Sequence, residues 1–113
     1  MTKVAVVFAE GFEEIEALSP VDVFRRAGFD CNMLGLESAS VTGSHGIQVA
    51  MDGVFDGNLD EYDLVVLPGG MPGSTKLRDH QALIASLQEV AKAGKYVAAI
   101  FPTPIVLERP GLL

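Results

Sequence analysis

The sequence predicts an α/β fold in which helices cover both faces of a doubly wound, mostly parallel sheet. Three observations predict it. Continuous apolar runs rich in Val, Ile and Leu recur at 3–9, 63–67 and 96–100, the pattern of parallel strands buried on both sides. Segments with apolar residues at helical spacing alternate with those runs, and turns containing glycine or proline separate the two kinds. That alternation implies right-handed parallel crossovers.

Composition sets the bounds. At 113 residues, 49% hydrophobic, with 12 Gly and 6 Pro, the chain reads as one globular domain over residues 1–113, able to bury roughly two-thirds of its unfolded surface. The net charge of −7 and the absence of a Lys/Arg cluster argue against nucleic acid as a partner. No apolar run reaches the ~18–20 residues of a membrane span, and no basic segment followed by an apolar stretch marks a secretory leader, so a cytoplasmic protein is expected. The lone cysteine, Cys31, excludes an intrachain disulfide and a cysteine-based metal cluster.

In order, Lys3 to Ala9 is the first buried strand, followed by a turn at Glu10-Gly11-Phe12. Glu13, Glu14 and Glu16 open a helix, where carboxylates suit the positive end of the helix dipole; the cluster is either a solvated helix start or the seat of chemistry. Ser19 suits an N-cap and Pro20 a first helical position, so a kink is expected there before the helix resumes and stops at Gly28. Phe29, Cys31 and Met33 alternate with polar residues in a second strand, which points Cys31 into packing as a small hydrophobe. Residues 37–58 break into short runs around Gly43-Ser44-His45-Gly46, a hairpin with a solvated His45 at its tip. No partner at metal-ligand spacing accompanies His45, and no metal is expected.

Asp63 to Leu67 is the next buried strand. Pro68-Gly69-Gly70 ends it, and the glycine pair is either a plain turn or a place where backbone amides approach a ligand. Leu77 and Arg78 are helical, Asp79 suits the N-cap of a second helical stretch carrying Leu83, Ile84, Leu87, Val90 and Ala91, and Gly94 closes it. Val97 to Ile100 then reads as a buried strand entering a sharp turn at Phe101, with a helix from near Pro104. In open α/β sheets this crossing is where chemistry is placed, yet a phenylalanine cannot serve as nucleophile, acid, base or metal ligand.

The stretches Ala9–Glu16, Pro20–Gly28, Val65–Gly70 and Ala98-Ala99-Ile100 running to Pro104 and Leu107, in this order over essentially the whole chain, resemble the ThiJ/PfpI family. Within it the sequence is most similar to the branch holding the Parkinson's-disease-linked deglycase and bacterial proteins labelled thiazole monophosphate biosynthesis enzymes. The resemblance implies a flavodoxin-like sheet, cysteine-dependent glyoxalase or deglycase chemistry on small dicarbonyls or their adducts, no cofactor, and homodimeric or higher association.

It also implies roles. The family's cysteine, on the elbow after the Ala-Ala-Ile run, falls on Phe101; its partner carboxylate falls on Glu16. Oxyanion amides come from Gly69-Gly70 and from the residue after the nucleophile, here Pro102, which has no N–H to give. A helix N-terminus that lowers a thiol's pKa, a carboxyl that exchanges its proton and amides that hold developing charge form a coherent site. With Phe101 the cysteine-dependent step is expected to be absent. Thr103 is a poor substitute, since an unactivated hydroxyl is a weak nucleophile. The resemblance further implies later strands, a histidine and closing helices, so the chain to Leu113 is expected to lack the domain's C-terminal third. The readings left open are an enzyme lineage without its nucleophile, a non-catalytic association module or stress-related holdase on the same fold, and an altered segment over residues 101–113.

Overall fold

The computed structural model describes residues 2–100. Its centre is a five-stranded parallel sheet in the order β5-β2-β1-β6-β7. The strands are β1 (Lys3–Phe8), β2 (Asp30–Gly35), β5 (Gly53–Val54), β6 (Leu64–Leu67) and β7 (Tyr96–Ala99). β3 (Ser40–Thr42) and β4 (Gln48–Ala50) form a separate antiparallel hairpin with Val41 opposite Val49. Helices α1 (Glu14–Arg26), α2 (Gly73–Asp79) and α3 (Gln81–Lys92) complete the fold.

Because successive strand side chains point to opposite faces, an all-apolar strand feeds two cores at once. From β1, Ala5 and Val7 join Val65 and Leu67 against Leu77 of α2 and Leu83, Leu87 and Val90 of α3. Val4, Val6 and Phe8 join Val66 against Ala17 and Val21 of α1 and Val41 of the hairpin. Cys31 is buried in this second core, and burial pushes its thiol pKa up.

Helix α1 stops where the glycine reading puts it. Gly28, at φ +87°, donates to Arg25 O and Phe29 to Phe24 O, while the Phe24 and Phe29 rings stack at 5.7 Å across the end. Four expectations need correcting. Pro20 lies inside one unbroken helix and Ser19 caps nothing; the cap is Glu13, whose Oε1 accepts from Ile15 N at 2.6 Å. Proline costs a helix its bond to the carbonyl four residues back, here Glu16, and the packing of Ala17 and Val21 holds the helix through it. Asp79 ends α2, and the N-cap of α3 is His80, whose Nδ1 accepts from Leu83 N at 3.1 Å. Ala91 is exposed, whereas Ser86 is buried and donates to Gly57 O at 2.8 Å. Finally, β7 is not buried on both sides: Tyr96 and Ala98 are exposed while Val97 and Ala99 pack on the α3 side. It is the outermost strand, bonded to β6 alone among the described residues.

Candidate functional site

The carboxyl ends of β1 and β6 bring two loops into backbone contact. Glu13 N donates to Gly69 O at 2.9 Å. Gly70, at φ +99°, sits so near the β1–α1 loop that a Cβ there would lie 2.4 Å from Glu13 N and 2.7 Å from Gly11 O. Gly70 therefore serves close packing of one turn on another and could be no other residue without movement of backbone. The hairpin is stitched to the same loop: Gly11 donates to Thr42 O at 2.9 Å and Ser44 to Phe12 O at 2.7 Å.

Helix α1 begins in this crossing with three carboxylates in three different settings. Glu13 caps the helix. Glu14 is buried beneath the hairpin tip, where Oε2 accepts from His45 N at 2.8 Å and Ile47 N at 3.3 Å, and Oε1 lies 2.9 Å from His45 Nδ1. Burial opposes its ionisation, but the His45 side chain and the backbone N–H groups of His45, Glu14 and Ile47 outweigh that, lowering its pKa from 4.5 to about 2. In return the Glu14 carboxylate raises the pKa of His45 above 6.5. His45 is exposed, as its turn position suggests, yet it is tied down.

Glu16 is half-buried, and its Oε1 is buried with no hydrogen-bond partner among the described residues. Its side chain lines a shallow apolar groove with Ile15, Pro20, Val23 and Phe24 of α1 and with Ile100. Ile100 is fixed in turn by its N–H to Leu67 O at 3.0 Å, so the end of β7 and the first turns of α1 share one crevice. An unpartnered buried carboxyl oxygen loses hydration without return, and a catalytic role is one of the explanations such a group calls for.

Of the residues singled out in sequence, Glu16 thus lies in the first turn of α1 and Gly69-Gly70 in the turn after β6, the two segments that meet at this crossing. Phe101, Pro102, Thr103 and the helix expected from Pro104 lie outside the described residues. Sequence reasoning passed over Glu14. It falls three and seven residues before Ala17 and Val21, so helical spacing alone could have placed it on the buried face.

Comparison with known proteins bears on this crossing. A sequence profile of the DJ-1/PfpI family matches residues 2–113. A deglycase from Thermococcus kodakarensis is 32% identical over 112 residues, covering 98% of this chain and 67% of that protein. Drosophila melanogaster dj-1beta is 35% identical over 109 residues, covering 95% of this chain and 58% of that protein. Among solved structures, oxidized Toxoplasma gondii DJ-1 superposes with a TM-score of 0.94 at 40% identity, over 100% of this chain and 63% of that one. A cysteine-to-alanine variant of a DJ-1 superfamily protein from Salmonella typhimurium gives a TM-score of 0.89 at 39% identity over the same shares. The chain spans about two thirds of the length of several of these relatives. With the parallel sheet, the crossing loops and the profile match over residues 2–113 in agreement, the chain belongs to the DJ-1/PfpI family.

Proposed function

We propose that this chain carries the frame of a deglycase-type site whose nucleophile position is taken by Phe101, so that it performs no glyoxalase- or deglycase-type turnover of small dicarbonyls or their adducts. The observation that carries the reading is Glu16: a carboxyl with a buried oxygen that has no partner among the described residues, in the groove that also takes Ile100, the residue directly before Phe101. In the family pattern that carboxyl exchanges a proton with a cysteine thiol, and Gly69-Gly70 amides hold developing negative charge. A phenyl ring can do neither. Cys31 does not replace the thiol, because it is buried in the core under α1 and its pKa is raised. No cofactor or metal is needed for this chemistry, and a cytoplasmic setting suits it.

The test is methylglyoxal consumption by the purified chain and by Cys31→Ser. Neither should exceed the buffer rate. Turnover that survives Cys31→Ser would show that another group does the chemistry and would overturn the proposal.

One observation favours a second reading, that the chain works by association. Ile15 and Val23, 75% and 60% exposed, line the apolar groove, and Tyr96 is 74% exposed on the same side of the sheet. Contiguous apolar surface of this kind marks interaction sites. A second copy of the chain, or an apolar segment of an unfolded client as in a holdase, would cover it.

A further inference from the structure

A cavity of about 280 Å³ opens outside the carboxyl ends of β1 and β2, walled by Phe8, Leu36 and Val41 and closed on one side by the end of α2. Open α/β sheets place their ligands outside the carboxyl ends of the strands, the end on which this cavity opens, although the strand order reverses one strand over, between β1 and β6. None of the residues assigned to the crossing of α1 and β7 lines it.

Its polar groups divide unevenly. Glu10 is engaged, accepting from Thr42 N at 3.2 Å, and Asp79 is engaged, paired with Arg78 Nε at 3.0 Å. Ser38 donates to Ser40 O at 2.9 Å. The donors are left over. Lys76, exposed at the rim, pairs with no carboxylate within 4.0 Å among the described residues. His80 is held by its capping role: Nδ1 accepts from Leu83 N, so the neutral ring carries its proton on Nε2, and the ring edge rests against Phe55 at 5.8 Å. Nε2 stands 3.6 Å from Glu37 Oε1, within ion-pair range but beyond hydrogen-bond reach, and the Glu37 side chain is 76% exposed.

One full cation, one fixed N–H donor and an apolar wall suit a singly charged acceptor with a short tail. The volume lies just under the ~300 Å³ at which drug-sized ligands begin. A doubly charged phosphate would meet repulsion from Glu10, Glu37 and Asp79 with a single ammonium to offset it. We propose that this cavity binds a small organic monocarboxylate, its carboxylate taking the Lys76 ammonium and the His80 Nε2–H, and its aliphatic tail lying on Phe8, Leu36 and Val41.

The test is an amide-resolved NMR titration of the 113-residue chain with sodium propionate at fixed ionic strength, with phosphate and propylammonium in parallel. Propionate should give saturable shifts centred on Leu36, Lys76 and His80. Lys76→Met keeps the alkyl stem and removes the charge; His80→Ser keeps an N-cap acceptor and removes the Nε2–H. Each should weaken propionate roughly tenfold, the worth of one hydrogen bond to a charged group. Lys76 is exposed, so its variant tests the site without risk to the fold. Linear, non-saturating shifts, unchanged propionate affinity in both variants, tighter binding of phosphate, or binding of propylammonium in its place would each overturn the proposal.

Discussion

Replacing Gly70 by alanine tests the contact on which the site's geometry rests. Two costs combine. At φ +99° a side chain holds the backbone in a sparsely populated region, about 1–3 kcal/mol. The added Cβ would also lie 2.4 Å from Glu13 N and 2.8 Å from Phe12 C, contacts with backbone that can be relieved only by parting the two loops; overpacking of that kind adds about 1–3 kcal/mol. Gly28 supplies the control, since at φ +87° it has nothing within 4 Å of a built Cβ and carries the conformational cost alone. The difference between Gly70→Ala and Gly28→Ala is therefore the contact itself. At ~4–8 °C of Tm per kcal/mol for a domain of this size, Gly70→Ala should melt at least roughly 4 °C below Gly28→Ala by circular dichroism. Equal melting temperatures would mean that the β1–α1 and post-β6 loops are not packed as described, and that Glu16 is not positioned by them.

Stability should depend on pH at both ends through one pair. The Glu14 pKa is lowered from 4.5 to about 2, so its contribution is complete above 4.5 and lost as pH falls toward 2; the His45 pKa is raised above 6.5, so its contribution is complete below 6.5 and lost as pH rises through the raised value. Urea midpoints of Glu14→Gln against pH should lose both flanks, since the same carboxylate causes both; a profile parallel to the parent's would assign the pH dependence to other groups. For the association reading, sedimentation at micromolar concentration should show dimers or larger species, weakened by Ile15→Lys or Val23→Lys on the exposed face of α1. A monomer at that concentration would count against it.

Much of the architecture is legible because apolar runs and turn residues carry it. The runs at 3–8 and 64–67 report burial on two faces directly, and Gly28 and Gly94 end helices by a backbone geometry that glycine alone enters freely. What stays hidden depends on partners distant in sequence. Gly53–Val54 pairs with β2 through two residues that have no strand signature of their own. Glu14 reads as one of several solvated acids until the amides of residues 45 and 47, more than thirty positions away, are seen to enclose it. His80 caps α3 with a ring nitrogen where Asp79 is the stronger capping residue, because helix α2 extends through Asp79. The exposure of Tyr96 and Ala98 follows from where β7 sits in the sheet, which its own residues do not encode. At the candidate site, the glycine pair is legible from its place after a buried strand, whereas Glu16 is set apart from its neighbours only through a resemblance; that its Oε1 has no partner among the described residues is a property of the packing.

The most direct measurement puts a thiol at position 101. In a Cys31→Ser background, Phe101→Cys places a single thiol in the chain, and its rate of alkylation by iodoacetamide can be followed against pH, with and without Glu16→Gln. If position 101 is the proposed nucleophile position, its thiol should titrate away from the free-cysteine value of about 8.5, and Glu16→Gln should move that midpoint. A thiol that titrates as free cysteine and is indifferent to Glu16→Gln would contradict the assignment of Phe101 to the nucleophile position.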